Sequence, residues 1–313
     1  MELDPQARAL LDMVYRIGAP RFHELTVAQA RQSMQKMLVA FRPEAPPVAS
    51  VSDVPIPRPD GTALLARYYR PLHASPESKL PVLVYFHGGG WCIGDVAGYD
   101  VLCRQLANAS GWAVLSVDYR LAPEHPFPAA LDDALLATDW VADNADLLEA
   151  DPLHIALGGD SAGGNLSIVT ALRARDRGFP ALCHLSLIYP CTEILSQRAS
   201  RTRFADGYFL DLETLDWFFR RYLQEGNTED WRASPMRAAS LAGLPPIFLV
   251  TASCDPLTDD CLAFAERVRE SGGEVEHLPV AGMVHGFLPL GKLFPQADAT
   301  LEAIAAALAR TAT

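Results

Sequence analysis

The sequence has few cysteines, and they lack the spacings that bind metals or cross-link small secreted domains. No two form a Cys-x-x-Cys pair, and none combines with histidine at the spacing of a zinc finger. Most lie in apolar runs, where a free thiol is normally buried and unreactive. We therefore predict buried, reduced thiols at all six positions, namely Cys92, Cys103, Cys183, Cys191, Cys254 and Cys261.

Positive charge and long apolar runs are also scarce. The chain carries 26 Lys and Arg against 38 Asp and Glu, a net charge of −12, so it would repel nucleic acid. No apolar stretch reaches membrane-spanning length. The N-terminal residues are acidic and do not resemble a signal peptide. We expect a cytoplasmic protein with neither nucleic-acid binding nor membrane insertion. We leave open whether the protein forms a homodimer.

What is present is an ordinary globular composition, 50% hydrophobic and 20% charged over 313 residues. Short apolar runs alternate with helical patterns after about residue 80, which predicts a mostly parallel sheet with helices on both faces. A Pro59-Asp60-Gly61 turn predicts an antiparallel hairpin before it. We expect strands at 51–56, 63–69, 81–86, 113–117, 154–157, 183–189, 246–251 and 275–280, and later helices at 101–110, 129–148, 165–175, 259–271 and 300–312.

Two regions do not fit this alternation. Amphipathic helices beginning near Asp4 and Thr26 precede the first strand, and they could pack on the core or cover the sheet edge. More than fifty residues separate the strands ending at Tyr189 and starting at Pro246, and they include a helix rich in aromatic residues. A crossover needs far fewer residues, so this segment predicts a lid, with ordinary crossover helices as the alternative.

The central motif is Gly159-Asp160-Ser161-Ala162-Gly163, between an apolar run and a helical segment. Strand, Gly-x-Ser-x-Gly and helix in this order predict a nucleophile elbow with Ser161 in a strained conformation. Glycines flank the serine because side chains there would collide with the neighbouring strand and helix. The serine hydroxyl would then lie at a helix N-terminus, which favours developing negative charge.

A serine nucleophile needs a base, usually a histidine that a carboxylate orients. His285 follows the last predicted strand in a loop flanked by glycines, and Asp255 follows the strand before it. Both therefore lie at the carboxyl ends of strands, where reacting groups gather in open α/β sheets. His125 is a weaker rival base, and Asp259 and Asp260 are alternative carboxylates. The chain order Ser161, Asp255, His285 is that of α/β-hydrolases.

A second motif, His87-Gly88-Gly89-Gly90-Trp91, follows the strand at 81–86. A tetrahedral oxyanion needs preorganised N–H donors, and glycines let the backbone approach it closely. A turn or a phosphate cradle is the alternative. The phosphate cradle is disfavoured because the Lys and Ser/Thr of a P-loop are absent from this motif.

The chain resembles the hormone-sensitive lipase family of α/β-hydrolases, and its small bacterial carboxylesterases in particular. The resemblance is carried by the two motifs above and by three further segments, Asp118-Tyr119-Arg120-Leu121-Ala122-Pro123-Glu124, Asp255-Pro256-Leu257 and His285-Gly286-Phe287. The resemblance runs from about residue 80 to 290. It implies an α/β-hydrolase fold with a helical cap, and hydrolysis of short- to medium-chain esters without metal or cofactor. The implied division is a cap at 1–45, core at 46–190, cap insertion at 191–235 and core at 236–313.

The resemblance also implies roles for individual residues. Ser161 would be the nucleophile, His285 the general acid and base, and Asp255 the residue that orients it. The amides of Gly89, Gly90 and Ala162 would bind the oxyanion, with Gly88 as a substitute for one of the glycines. His87 would brace the glycine loop, and Asp118, Tyr119, Arg120 and Glu124 would form a structural network near the site.

Other functions are compatible with the same motifs. The family includes hormone receptors that bind a small ligand on this fold without turnover, although these typically lack a working base. Amide hydrolysis, lactone hydrolysis or elimination would keep the catalytic residues and change the reaction. The aromatic residues of the expected cap could line an apolar substrate pocket or pack the cap internally; they are Phe41, Phe209, Trp217, Phe218 and Phe219.

Overall fold

The computed structural model describes residues 2–75, 77–224, 226 and 228–311. The strands are β1 (Ser50–Pro57), β2 (Ala63–Arg70), β3 (Leu80–Phe86), β4 (Ala113–Val117), β5 (Ala150–Asp160), β6 (His184–Ile188), β7 (Ile247–Cys254) and β8 (Val275–Val284). The helices are α1 (Pro5–Arg16), α2 (Val27–Phe41), α3 (Asp100–Ser110), α4 (Ala129–Asp143), α5 (Ala162–Arg177), α6 (Ala199–Arg203), α7 (Leu212–Leu223), α8 (Thr258–Glu270) and α9 (Pro295–Thr311).

The eight strands form one sheet in the order β1-β2-β4-β3-β5-β6-β7-β8. In this order, each pair of neighbouring strands from β4 to the β8 edge, including both pairs made by β3, is parallel. Strand β2 pairs antiparallel with both β1 and β4. Strands β4, β6 and β7 are buried along their whole length, as expected where helices cover both faces of a parallel sheet. The predicted α/β fold, with its hairpin at one edge, is confirmed.

Several predicted boundaries were wrong, each for a local reason. Helix α4 ends at Asp143, because the side chain of Asn144 donates to the carbonyl of Trp140 and closes the helix. Helix α9 begins earlier than predicted, at Pro295, a residue whose fixed φ suits the first helical turn. Strand β8 continues to Val284 through an irregularity at Gly282, whose φ is +72°.

The two regions outside the alternation contact each other. Both helices begin where predicted. Asp4 caps α1 by accepting a hydrogen bond from the Gln6 amide at 2.8 Å, and Thr26 begins α2 with a capping box. A short 3-10 turn at Phe22–Glu24, between these helices, packs against α7 from the long insertion. Both regions therefore approach the same part of the molecule.

All six cysteines are free, and five of them are buried as predicted. The prediction was wrong at Cys183, which is partly exposed just before β6. Burial raises the pKa of the Cys92 thiol to about 12 and that of Cys183 to about 11, so these side chains are protonated at neutral pH. None of the helices traced in the described ranges has the length and apolar character needed to cross a bilayer.

Candidate active site

Ser161 occupies the sharp turn between β5 and α5. Its φ of +55° and ψ of −114° are strained for a residue with a side chain, as predicted for a nucleophile elbow. A Cβ atom at Gly159 or Gly163 would overlap the carbonyl oxygen of Phe86 on the neighbouring strand. The flanking glycines are therefore required by the close approach of β3, and the turn presents the Ser161 hydroxyl at the start of α5.

His285 lies between the serine and an acid. Its Nε2 is 2.9 Å from Ser161 Oγ, and its Nδ1 is 2.7 Å from Asp255 Oδ2. Asp255 follows β7 directly and is fully buried, and its other oxygen accepts the Leu257 amide at 2.8 Å. With its proton on Nδ1, the imidazole donates to the carboxylate and presents the Nε2 lone pair to the serine. The Tyr189 ring packs on the imidazole at 4.7 Å between centroids.

The alternative acids and base lie elsewhere. Asp259 accepts a hydrogen bond from the Ser200 amide at 2.8 Å, and Asp260 pairs with the Arg201 guanidinium at 2.9 Å. His125 is exposed and lines a separate polar crevice. The structure therefore brings Asp255 and His285 to the serine. The two rival acids are engaged in other contacts, and His125 lies in a different crevice.

Three amides beside Ser161 have no acceptor. Within the described chain, the N–H groups of Gly89, Gly90 and Ala162 donate no hydrogen bond, and all three residues line the cavity that contains Ser161. Gly89 and Gly90 have φ values of +121° and +57°, which glycine adopts without strain. Gly90 and Ala162 are buried and Gly89 is partly buried. Amides withdrawn from water without a partner cost free energy, so this cluster is suited to binding a negatively charged oxygen.

Gly88 does not belong to that cluster, and its prediction as a substitute donor is corrected. Its amide already donates to Asp160 Oδ1 at 2.9 Å, so it has no N–H to offer an oxyanion. Asp160 is itself buried and also accepts the hydroxyls of Tyr85 and Tyr99, each at 2.9 Å. Burial raises the pKa of the Asp160 carboxyl, and these donors offset part of that effect.

Sequence reasoning missed this role of Asp160. The signal was present, because a carboxylate between a buried strand and Ser161 must find hydrogen-bond donors, or else its burial carries a large desolvation cost. The donors themselves could not be identified, since Tyr85 and Tyr99 look like core residues in their segments.

His87 contacts the glycine loop from the inside of the fold. Its Nδ1 lies 2.8 Å from the carbonyl oxygen of Gly88, and Tyr119 donates its hydroxyl to the His87 carbonyl at 2.7 Å. The Gly88 carbonyl belongs to the same peptide plane as the Gly89 amide. The contact therefore helps to set where that amide points, which fits the predicted bracing of the loop.

The remaining members of the expected network act farther from Ser161. Arg120 pairs with buried Asp133 at 2.9 Å, and Glu124 pairs with Arg31 of α2 at 2.6 Å. Asp118 is exposed, and its amide donates to the carbonyl of Leu65. These contacts tie α2 and α4 to the loop that follows β4.

The cavity above Ser161 has a volume of about 70 Å³ and largely apolar walls. Phe209, Phe218 and Phe219 of the long insertion line it, so these aromatic residues do face the site. Trp217 does not line it, and packs instead against Phe218 with ring centroids 5.1 Å apart. Phe41 lines a neighbouring groove. The aromatic residues therefore divide between the cavity and internal packing.

Comparison with known proteins places these features in context. A family model described as alpha/beta hydrolase fold matches residues 83–289. The carboxylic ester hydrolase LipN of Mycobacterium tuberculosis is 42% identical over 78% of the chain, and the match spans 65% of LipN. The ethyl acetate hydrolase of Pseudomonas putida is 33% identical over 98% of the chain and 99% of its own length.

Among solved structures, the ester-hydrolase EH1AB1 from the metagenome of Lake Arreo superimposes with a TM-score of 0.94. It is 39% identical to this chain and the match covers 98% of each chain. That structure was determined in complex with a derivative of bipyridine phosphonate.

Proposed function

We propose that this chain, which belongs to the hormone-sensitive lipase family of α/β-hydrolases, hydrolyses short- to medium-chain carboxylic esters through an acyl-enzyme on Ser161. The chain is a serine carboxylesterase. The observation that carries the residue assignment is the continuous hydrogen-bonded series Ser161–His285–Asp255 beside three amides that have no other acceptor.

In the first half of the reaction, Ser161 Oγ attacks the ester carbonyl carbon while His285 Nε2 accepts the hydroxyl proton. The electron pair of the carbonyl π bond moves to oxygen, where the amides of Gly89, Gly90 and Ala162 stabilise the negative charge. The tetrahedral intermediate then expels the alcohol as the C–O bond breaks, and the imidazolium gives its proton to the leaving oxygen. An acyl ester on Ser161 remains.

In the second half, water takes the place of the alcohol. His285 accepts a proton from water as its oxygen attacks the acyl carbonyl, and the same amides hold the new oxyanion. Collapse of this intermediate breaks the bond to Ser161 Oγ, returns the proton to the serine and releases the carboxylic acid. Asp255 stays ionised throughout, holds the imidazole in the required tautomer and stabilises the imidazolium.

The cap also belongs to this proposal. Residues 1–45 and 191–235 would form it, because the turn at Phe22–Glu24 packs on α7 and both regions contribute walls to the cavity. A cytoplasmic location is supported by the six free thiols. The homodimer stays a prediction, for which light scattering on the purified protein is the direct measurement.

A serine-reactive phosphonate tests the residue assignment and separates an esterase from a receptor. The hydroxyl of an activated serine displaces the leaving group from phosphorus, and the label stays on the oxygen. We expect one phosphonyl group per chain, on the peptide that contains Ser161, and none in a Ser161→Ala variant. Labelling of another residue, or no labelling of folded protein, would contradict the proposal.

The hydrogen bond between His285 and Ser161 also bears on the receptor alternative. A site that binds without turnover does not need a base in contact with the serine, whereas here His285 Nε2 and Ser161 Oγ are 2.9 Å apart.

Ester hydrolysis is favoured over amide hydrolysis because the alcohol is the better leaving group and makes the smaller demand on the catalytic residues.

A further inference from the structure

The strands that lead to the proposed acid and base, β7 and β8, are neighbours whose pairing is interrupted near its end. Ala252 pairs with Val280, and the next pair joins Cys254 to Val284. A single residue of β7 therefore lies opposite three residues of β8, which form a bulge at 281–283. Over this interval β8 contains two residues more than β7, and we call this segment the β8 bulge.

The β8 bulge determines where the proposed base lies. In the register that precedes the break, Asp255 would lie opposite Met283. His285 would then lie roughly 6–7 Å farther along the strand, because each residue of a strand advances about 3.3 Å. In the structure Asp255 and His285 directly follow the last pair of the ladder, and Oδ2 is 2.7 Å from Nδ1. The two extra residues are therefore needed to bring the acid and the base together.

Ser253 is the β7 residue opposite the β8 bulge, and its side chain bonds the centre of that bulge. Its Oγ accepts the amide of Gly282 at 2.7 Å, and both residues are buried. On the other side, the Gly282 carbonyl accepts the Asp4 amide at 3.0 Å. Both backbone polar groups of the central bulge residue therefore have partners, as a buried peptide requires.

Gly282 fits this arrangement because it has no side chain. Its φ is +72°, and a Cβ atom there would lie 2.6 Å from the Asp4 amide nitrogen. The β8 bulge is thus held between the Ser253 hydroxyl and the residue that caps α1. Of its two hydrogen bonds, only the one from Ser253 is made by a side chain, so a substitution can remove it.

We propose that Ser253 is a positioning residue for the reaction, because its hydroxyl fixes the β8 bulge and so sets the contact between Asp255 and His285. Ser253 lies two residues before the acid, and Gly282 lies three residues before the base. Ser253 does not line the cavity that contains Ser161, so it acts through these neighbours and touches no substrate. The proposal rests on the proposed function, in which Asp255 orients His285.

Ser253→Ala tests this role by removing the hydroxyl alone. The Gly282 amide would lose its buried acceptor, and the β8 bulge would shift to find another. We expect kcat for p-nitrophenyl butyrate to fall by about 10- to 10²-fold with KM within about twofold, since a 1 Å displacement of a catalytic group has effects of this size. Ser253→Thr keeps the hydroxyl and should retain kcat within about threefold.

Ser116→Ala is the matched control for the loss of a buried serine hydroxyl. Ser116 is buried in β4, which adjoins neither β7 nor β8 in the sheet. We expect this variant to keep the wild-type kcat. A wild-type kcat in folded Ser253→Ala, or an equal loss in Ser253→Thr, would overturn the proposal.

A proton resonance separates positioning from a general loss of stability. The proton on His285 Nδ1, bonded to Asp255, should give a far-downfield ¹H NMR signal that is missing from His285→Gln. We expect this signal to move upfield or disappear in Ser253→Ala, and to be unchanged in Ser116→Ala. A loss of kcat in Ser253→Ala with an unmoved signal would overturn the proposal.

Asp255→Asn separates this proposal from the function on which it rests. A low kcat in Asp255→Asn together with a wild-type kcat in Ser253→Ala rejects the positioning role alone. A wild-type kcat in Asp255→Asn rejects the assignment of the acid, and this proposal with it.

Thermal unfolding verifies that each variant is folded. If Ser253→Ala does not fold, Ser253→Cys takes its place, because a thiol is only a weak acceptor for the Gly282 amide. We then expect kcat to fall at least about threefold with KM unchanged, since the weaker acceptor holds the β8 bulge less firmly. A wild-type kcat in folded Ser253→Cys would overturn the proposal.

Discussion

The carboxylate of Asp160 accepts the amide of Gly88 at 2.9 Å, and so it ties the strand that leads to Ser161, the proposed nucleophile, to the loop that carries the proposed oxyanion donors. The two residues are 72 positions apart in sequence. Two tyrosine hydroxyls hold the same carboxylate. The relative position of Ser161 and the glycine amides thus depends on one buried side chain that has no role in the proposed reaction.

We predict that Asp160→Asn lowers kcat for p-nitrophenyl butyrate by about 10²-fold, since small displacements of a catalytic group have effects of that size. The amide cannot accept from all three donors, so the Gly88–Gly89 segment would shift. We also expect a loss of roughly 1–3 kcal/mol in the free energy of unfolding. Asp118→Asn, at an exposed position, is the control; a wild-type kcat in Asp160→Asn would contradict this role.

The choice of acid is tested by two asparagine variants. Asp255→Asn should lower kcat by about 10⁴-fold, because the amide no longer favours the imidazole tautomer that presents Nε2 to Ser161. Asp259→Asn should keep kcat within about twofold, because its carboxylate holds the Ser200 amide and does not contact His285. Steady-state kinetics on both variants shows which carboxylate orients His285. A larger loss of kcat in Asp259→Asn than in Asp255→Asn would assign that role to Asp259 instead.

A polar contact joins the two parts of the proposed cap. Arg21 pairs with Asp206 at 2.6 Å and with Asp211 at 3.1 Å, next to Phe22 on the cavity wall. We expect Arg21→Gln to raise KM for p-nitrophenyl butyrate by about two- to fivefold with little change in kcat, since exposed ion pairs are weak.

Arg16→Gln, at an exposed position in the last turn of α1, is the matched control for that variant. High salt should reproduce the rise in KM in the wild type and have less effect on Arg21→Gln. A loss confined to kcat would show that this contact acts on the chemistry instead.

Stability should fall in mild acid because of His184. Burial is the main cause that lowers the pKa of its imidazole to about 4, whereas an unfolded histidine titrates near 6.5. Between these values the unfolded chain binds the extra proton and the folded chain does not. Stability is therefore fully present above about pH 6.5 and is lost as the pH falls towards 4, by roughly 3 kcal/mol in total.

Urea unfolding at pH 7 and pH 5 measures this effect. His184→Gln should lose part of the pH dependence of the wild type, whereas His73→Gln, at an exposed position, should keep all of it. The same pH dependence in His184→Gln and the wild type would show that other groups are responsible.

The sequence was sufficient for those features that leave a local signature. The elbow at Ser161 needs glycines at fixed positions, and Asp255 and His285 each follow a recognisable strand. Features that depend on distant contacts could not be predicted. The partner of the Gly88 amide lies on another strand, and the continuation of β8 through Gly282 depends on its pairing with β7.

The aromatic residues of the insertion show the same limit. Helical periodicity places Trp217, Phe218 and Phe219 in one helix, but which of them faces the cavity depends on how α7 packs against the rest of the chain. Trp217 turns to internal contacts, whereas Phe218 and Phe219 line the site. Substrate preference is therefore the property least accessible from the sequence.

The central claim is that the Ser161 hydroxyl, activated by His285, carries out the reaction. The most direct measurement is kcat of Ser161→Ala with p-nitrophenyl butyrate, compared with Ser167→Ala, a buried serine in the same helix that bonds the Gly163 carbonyl. We predict a loss on the order of 10⁶-fold for Ser161→Ala and near wild-type turnover for Ser167→Ala. Substantial hydrolysis by folded Ser161→Ala would contradict the account.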